Sequence, residues 1–288
     1  MNNPLSNSVQ AARAAIMQAL HQRPGIFVIP NPWDAGSARL LAGLGFEALA
    51  TTSAGLAFSL GKPDGEAAVT REEALANARA IVSATELPVS ADLENGYGED
   101  PATCAETVRL AAGVGLVGCS IEDRTGRPED PILSFDLSVE RIRAAVQAAR
   151  SLPFPFTLTA RSENLICGRP DMPDTLRRLK AYAEAGADVL FAPGLETREQ
   201  IDAVVRAVAP KPVSVVMGLS KATFTVGDLE DLGVKRISVG AALSRAAYSG
   251  FLRAVEEIRV KGTFTFARDI VPYAEFNRLF RNKTTQKP

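Results

Sequence analysis

The chain has 288 residues, 46% hydrophobic and 23% charged, a soluble globular composition long enough to bury a core without disulfide staples. A net charge of −1, with no basic stripe, excludes a nucleic-acid partner held by electrostatics. The three cysteines (Cys104, Cys119 and Cys167) are widely spaced and match no zinc-ligand pattern, so they read as reduced thiols.

In chain order, residues 1–10 are polar and lack the layout of a signal peptide. An amphipathic helix is expected over 8–22. Apolar runs suited to parallel strands covered on both faces then follow at 26–30, 48–52, 89–94, 118–123, 156–163, 189–193, 213–217 and 236–240. The segments 71–84, 101–112, 137–150, 174–185, 198–208 and 226–232 carry apolar residues at helical spacing. Thr70, with Glu73 three residues on, opens one of them as a capping box, and Gly45, Gly186 and Gly233 mark helix ends. A final helix is expected from 241 to about 260. The longest apolar stretch, 110–121, is broken by glycines and too short for a bilayer, so no membrane contact and a cytoplasmic location are expected.

Unbroken repetition of a βα unit argues for one domain over 1–288, with a leading helical segment (1–24) and a C-terminal segment (241–288). No Gly-x-Gly-x-x-Gly follows the first strand, and polar residues gather at the ends of many strands. Both favour an α/β fold of the (β/α)₈ TIM-barrel type over a dinucleotide-binding sheet. Phe264, Phe266, Tyr273, Phe276 and Phe280 in the tail point to a subunit contact and hence an oligomer.

In a barrel the strand C-termini face one mouth. There Asp92 and Glu94, two apart on a strand and so on one face, join Glu122 from the next strand in a cluster of three carboxylates. Such a cluster repels itself unless it holds a cation, and an all-oxygen, incomplete cage suits Mg²⁺ or Mn²⁺ with bound waters. Arg161, one strand further, offers a bidentate clamp for an anionic substrate. The competing reading pairs Asp92 and Glu94 with Arg124 and Arg161. Gly96 and Gly98 around Tyr97 indicate a tight loop, and Ser53, Ala54, Gly55 and Leu56 could present backbone N–H groups to an oxyanion.

The only histidine, His21, lies in the leading helix, so serine- or cysteine-histidine catalysis is excluded. Lys62, Lys180, Lys211, Lys221 and Lys235 avoid the strand ends, which disfavours Schiff-base chemistry. Cys104 and Cys119 read as core, Cys167 as a loop thiol near the mouth, and Trp33 as packing.

Taken in order, these motifs resemble the isocitrate lyase and phosphoenolpyruvate mutase superfamily over nearly the whole chain. They are Asn31-Pro32-Trp33-Asp34-Ala35-Gly36-Ser37, Thr52-Ser53-Ala54-Gly55, Gly61-Lys62-Pro63-Asp64-Gly65, Asp92-Leu93-Glu94-Asn95-Gly96-Tyr97-Gly98, Ser120-Ile121-Glu122-Asp123 and Thr159-Ala160-Arg161-Ser162-Glu163. The resemblance implies a barrel whose eighth helix is exchanged between subunits of a dimer of dimers. It implies Mg²⁺ near Asp92, with Glu94 and Glu122 holding it through waters, and an α-oxo acid substrate chelating it. The substrate carboxylate would meet Arg161 and the backbone of Ser53–Leu56, and Asp64 would be a further active-site acid. Arg161, Asp64 and Glu122 are therefore the candidate catalytic residues.

The implied chemistry makes or breaks a C–C or P–C bond beside an enolpyruvate-type oxyanion. The loop after the fourth strand reads Arg124-Thr125-Gly126-Arg127-Pro128, without the Lys-Arg-Cys-Gly-His of the lyase branch or the lysine and asparagine of the mutase branch. C–C lyase, phosphonopyruvate-type P–C chemistry and a non-catalytic α-oxo acid binder all stay open.

Overall fold

The computed structural model describes residues 4–219 and 223–281. Eight parallel strands form the centre: β1 (Phe27–Ile29), β2 (Leu49–Ala50), β3 (Val89–Asp92), β4 (Gly118–Glu122), β5 (Thr157–Arg161), β6 (Val189–Phe191), β7 (Val213–Val216) and β8 (Arg236–Ser238). Their order is β1-β8-β7-β6-β5-β4-β3-β2, so β2 to β8 pair with their sequence neighbours in turn and β1 returns to β8. The remaining seam, between β1 and β2, is bridged where Ala50 N–H donates to Pro30 O (3.1 Å) and the Asn31 amide donates to Thr51 O (3.0 Å). The result is a (β/α)₈ barrel.

All eight expected strands are present, each shorter than its apolar run. The losses fall mainly at C-terminal ends, where the chain leaves the ladder to build the mouth. After β3, Leu93 N–H still donates to Ser120 O (3.3 Å), but Glu94 turns to φ +47° and its carbonyl accepts from Glu122 N (2.9 Å).

Eleven α-helices lie among the described residues: α1 (Asn7–Gln22), α2 (Ala35–Gly43), α3 (Ser53–Ser59), α4 (Arg71–Ala84), α5 (Pro101–Gly113), α6 (Phe135–Arg150), α7 (Met172–Glu184), α8 (Arg198–Val208), α9 (Val226–Asp231), α10 (Ala242–Lys261) and α11 (Tyr273–Arg281). The Thr70/Glu73 capping box opens α4. Gly45, Gly186 and Gly233 follow helices in the left-handed region, the conformation that favours glycine there. Beyond the sequence expectation are α2, which Asp34 caps, the short α3, and α11 in the tail.

The main core fills the space between strands and helices, with Leu93, Cys104, Cys119, Ile121, Leu158, Tyr182 and Leu190 all buried. A smaller cluster joins Ala14, Met17 and Leu20 of α1 to Phe27, Ile29 and Val117, closing the N-terminal end of the barrel. The Gln10 amide ties α1 down by donating to Ala112 O and Leu116 O, both at 2.8 Å. The opposite end stays open. Helix α10 departs from the pattern: only Ser244 is buried, while Phe251 and Leu252 are 62% and 63% exposed. Among the described residues no helix is long and apolar enough to cross a membrane. Lys221 and the tail past residue 281 lie outside the described residues.

Candidate active site

A cavity of about 700 Å³ opens at the C-terminal ends of the strands. Parallel register places its key groups side by side: Asp92 stands opposite Ser120, and Glu122 opposite Arg161. Arg161 is the hub. Its Nη1 donates to Asp92 Oδ1 (2.8 Å), Nη2 lies 3.1 Å from Glu122 Oε2, and Nε donates to Glu163 Oε1 (3.0 Å). The Phe191 ring supports the guanidinium, with Cζ 5.1 Å from the ring centroid.

Asp92 is fixed from several directions. Its N–H donates to Thr51 Oγ1 (3.1 Å), and its Oδ2 accepts from Ser53 Oγ (3.0 Å) and more weakly from Ser53 N (3.4 Å). Ser53 and Ala54 line the cavity. Gly55 N–H is committed to Thr52 Oγ1 (3.2 Å) and Leu56 N–H to Thr52 O (3.1 Å), because the segment is the first turn of α3 rather than an open loop. Gly55 and Leu56 therefore have no free N–H to offer an oxyanion, and only the Ser53–Ala54 part of that segment faces the cavity.

Asp92 and Glu94 both line the cavity, but not by strand alternation: β3 ends at Asp92 and Glu94 is left-handed. The loop that follows is anchored by Arg141 of α6, which is buried. It donates to Asn95 O and Gly98 O through Nη2 and to Glu122 O through Nη1 (3.1 Å). Asn31 does the same for the β1/β8 rim, its Oδ1 accepting from Val239 N (2.8 Å) and Gly240 N (2.9 Å).

Beneath Glu122 lies a second, buried network. Asp123 accepts from Tyr182 Oη (2.7 Å), Arg178 Nη1 (3.2 Å) and Glu163 N (2.8 Å). Asp174 accepts from Arg178 Nε (2.7 Å) and Asn164 Nδ2 (2.9 Å). Glu163, which engages Arg161, is thus itself held in place from below.

Seven carboxylates and four guanidiniums line the cavity, and among the described residues no lysine, histidine or cysteine does. The electrostatics reflect that surplus of acid. Burial, then the neighbouring charges of Asp92 and Asp64, raises the Glu94 pKa to about 7. Burial, then Asp92, raises Asp64. Burial pushes Glu122 well above the carboxylate range even with Arg161 opposing. For Arg161 the charges of Glu122, Glu163 and Asp92 outweigh burial, so it stays cationic.

This donor set fits a hard divalent cation. All its ligands are oxygens, the negative charge is in excess, and Mg²⁺ takes one or two carboxylates plus waters rather than a full protein cage. Among the described residues no three His, Cys, Asp or Glu side chains stand together as a complete ligand group, since Arg161 occupies the space between Asp92 and Glu122.

At the floor of the cavity, where β8 begins, Arg236 is 6% exposed and donates to Ser214 Oγ and Thr159 Oγ1, each at 3.0 Å. His21 packs edge-on against Phe27, its Nδ1 bonded to Met17 O (2.8 Å) and its Nε2 facing Arg236. Cys104 and Cys119 are buried core residues. Burial raises the Cys167 thiol to about 11, so it is not poised as a nucleophile. Lys62 pairs with Glu73 at 2.6 Å, away from the chemistry.

Sequence reading did not single out Glu163, Asp123, Arg141, Asn31 or Arg236. Asn31, Glu163 and Asp123 stand inside the motifs of the resemblance, and Arg141 and Arg236 act through partners far away in the chain.

The model of the family described as "Phosphoenolpyruvate phosphomutase" matches residues 17–259. An uncharacterized protein of Mycobacterium tuberculosis is 32% identical, covering 92% of this chain and 97% of that one. Oxaloacetate decarboxylase of Rhodopseudomonas palustris is 30% identical over 86% and 84%. Among solved structures, one from Burkholderia cenocepacia is 58% identical with a TM-score of 0.93, over 96% and 98% of the two chains. Oxaloacetate acetylhydrolase in complex with the product oxalate is 29% identical with a TM-score of 0.83, over 93% of each. The chain belongs to the isocitrate lyase/phosphoenolpyruvate mutase superfamily, as an enzyme of that group.

Proposed function

We propose that the protein is a Mg²⁺- or Mn²⁺-dependent lyase that cleaves a C–C bond of a small α-oxo or 2-hydroxy dicarboxylate through an enolpyruvate-type oxyanion. The observation that carries this reading is the convergence of Asp92, Glu94 and Glu122 with Arg161 at adjacent strand ends in one cavity. Relatives named as enzymes of oxaloacetate cleavage support it.

Asp92, Glu94 and Glu122 would hold the cation, which would supply Lewis-acid stabilisation of the developing enolate oxygen, worth several kcal/mol in enzymes of this type. Arg161 orients the substrate by its carboxylate, in exchange for part of its present pairing with Asp92. Phe191 and Glu163 keep the guanidinium plane fixed while that exchange occurs. Ser53 presents its hydroxyl beside Asp92. Asp64, whose pKa burial and Asp92 raise, is placed to hold or pass a proton at its carboxyl oxygen, and Glu122 can share that role.

The same reading takes the exposed apolar face of α10 as the subunit contact of a homo-oligomer, with that helix exchanged between protomers in a dimer of dimers.

The test is release of pyruvate or glyoxylate, with Mg²⁺ and with EDTA, over oxaloacetate, 2-methylmalate, 2,3-dimethylmalate, methylisocitrate and phosphonopyruvate. EDTA-sensitive release from a C–C substrate is expected. Phosphate release from phosphonopyruvate alone would move the chemistry to the P–C bond, and silence across the panel would leave a binding protein.

A further inference from the structure

Arg124 is half-buried in the cavity wall, two residues past the end of β4. The stem of its loop is tied: Arg124 bridges to Ile132, Thr125 N–H donates to Pro131 O (2.9 Å) and Leu133 N–H to Asp123 O (2.8 Å). Its guanidinium lies against the backbone of Gly65 in the facing loop. A Cβ at Gly65 would stand 2.7 Å from both terminal nitrogens and 2.9 Å from Cζ, and Gly65 has φ +78°. Glycine at 65 is therefore what lets the guanidinium approach the backbone so closely.

Among the described residues, the remaining cations of the cavity are engaged. Arg161 is ion-paired three ways, Arg236 is bonded to Ser214 and Thr159, and Arg71 pairs with Glu72 at 3.7 Å. Among the described residues, Arg124 forms no side-chain ion pair or hydrogen bond, although Asp64 and Glu94 feel its charge. A dianion entering a cavity so rich in carboxylates needs an uncommitted cation, and among the described residues that line it Arg124 is the one present.

Resting on the α-oxo acid reading above, we propose that Arg124 determines specificity by binding the second carboxylate of a dicarboxylate substrate while Arg161 takes the α-oxo acid end. A planar guanidinium fork matches a planar carboxylate in a bidentate manner.

The test uses calorimetric titration of the full chain with Mg²⁺. The two probes are oxalate, which offers only the α-oxo acid end, and 3,3-difluorooxaloacetate, which adds the second carboxylate. In Arg124→Gln the expected loss for difluorooxaloacetate is about 10- to 100-fold in Kd, the range for a lost hydrogen-bonded charge pair. The expected change for oxalate is below about threefold, since one longer-range charge is screened. Arg124→Lys should recover part of the loss, because it keeps the charge but not the fork. Equal effects on both ligands, or none on difluorooxaloacetate, would overturn the proposal while leaving the α-oxo acid reading intact. Failure of the wild-type protein to bind oxalate would overturn both. Weakening of phosphonopyruvate without weakening of difluorooxaloacetate would reassign Arg124 to a phosphonate end.

Discussion

Asp123 provides a demanding test of how the site is held. Its carboxylate is 2% exposed and accepts from three donors: Glu163 N, Tyr182 Oη and Arg178 Nη1. Asp123→Asn keeps the shape but replaces one acceptor oxygen with an NH₂ group. Whichever way the amide turns, it faces a donor. If its oxygen serves Tyr182 and Arg178, Glu163 N–H meets N–H, and a buried donor left unsatisfied costs about 1–3 kcal/mol.

Arg178, itself 4% exposed, also loses one of its two carboxylate partners, keeping Asp174 at 2.7 Å. Removing one member of a buried pair costs roughly 3–5 kcal/mol when nothing compensates, and Asp174 compensates in part. A loss of about 3 kcal/mol is therefore expected, a large share of the roughly 5–15 kcal/mol that holds an ordinary domain. Urea unfolding followed by circular dichroism measures it. Turnover should fall as well, because Glu163 positions Arg161 through its 3.0 Å bond to Nε. A destabilisation under about 1 kcal/mol, with unchanged turnover, would refute the view that this network supports the site.

Other consequences are open to measurement. His21 is held neutral by burial and the nearby charge of Arg236, with its pKa lowered to about 3. Below pH 6.5 the unfolded chain takes up a proton that the folded one refuses, so stability should fall between pH 6.5 and 3, by about 2 kcal/mol at pH 5. Relative to His21→Gln, the wild-type urea midpoint should therefore drop as the pH is lowered through that window, and parallel curves would count against it. Arg141→Met removes the donor to Asn95 O, Gly98 O and Glu122 O, and should cost about 2–4 kcal/mol by the same urea assay while lowering kcat/KM at least tenfold. Wild-type values for both would refute the anchoring role. Leu252→Asp on the exposed face of α10 should lower the native mass in sedimentation equilibrium, and an unchanged mass would remove that face from the subunit contact.

Much of the barrel could be read from the sequence because its punctuation is local. Helices α4 and α8 run over the residues that their periodicity indicated, each opened by a capping box, Thr70 with Glu73 and Thr197 with Gln200. Helix α3 escaped notice because Ser53-Ala54-Gly55 resembles a turn, and what makes it helical is the side chain of Thr52. Glu94 was placed beside Asp92 by a strand rule that stops applying at φ +47°. Arg161 is legible as a clamp and, in the competing reading, as a partner of Asp92, but that its three nitrogens are all taken, by Asp92, Glu122 and Glu163, is not. Pairings across 69 residues leave no trace in spacing. Asp123 was visible in a motif, whereas its partners Arg178 and Tyr182 lie on α7, reached only through the fold.

The most direct test of the central claim is kcat/KM for Asp92→Asn on the best C–C substrate, measured across a Mg²⁺ titration. A fall of at least about a thousandfold is expected, since the carboxylate placed to hold the cation and bonded to both Arg161 and Ser53 is lost. Wild-type activity in that variant, or turnover indifferent to Mg²⁺ and EDTA, would contradict the assignment of a metal-assisted lyase.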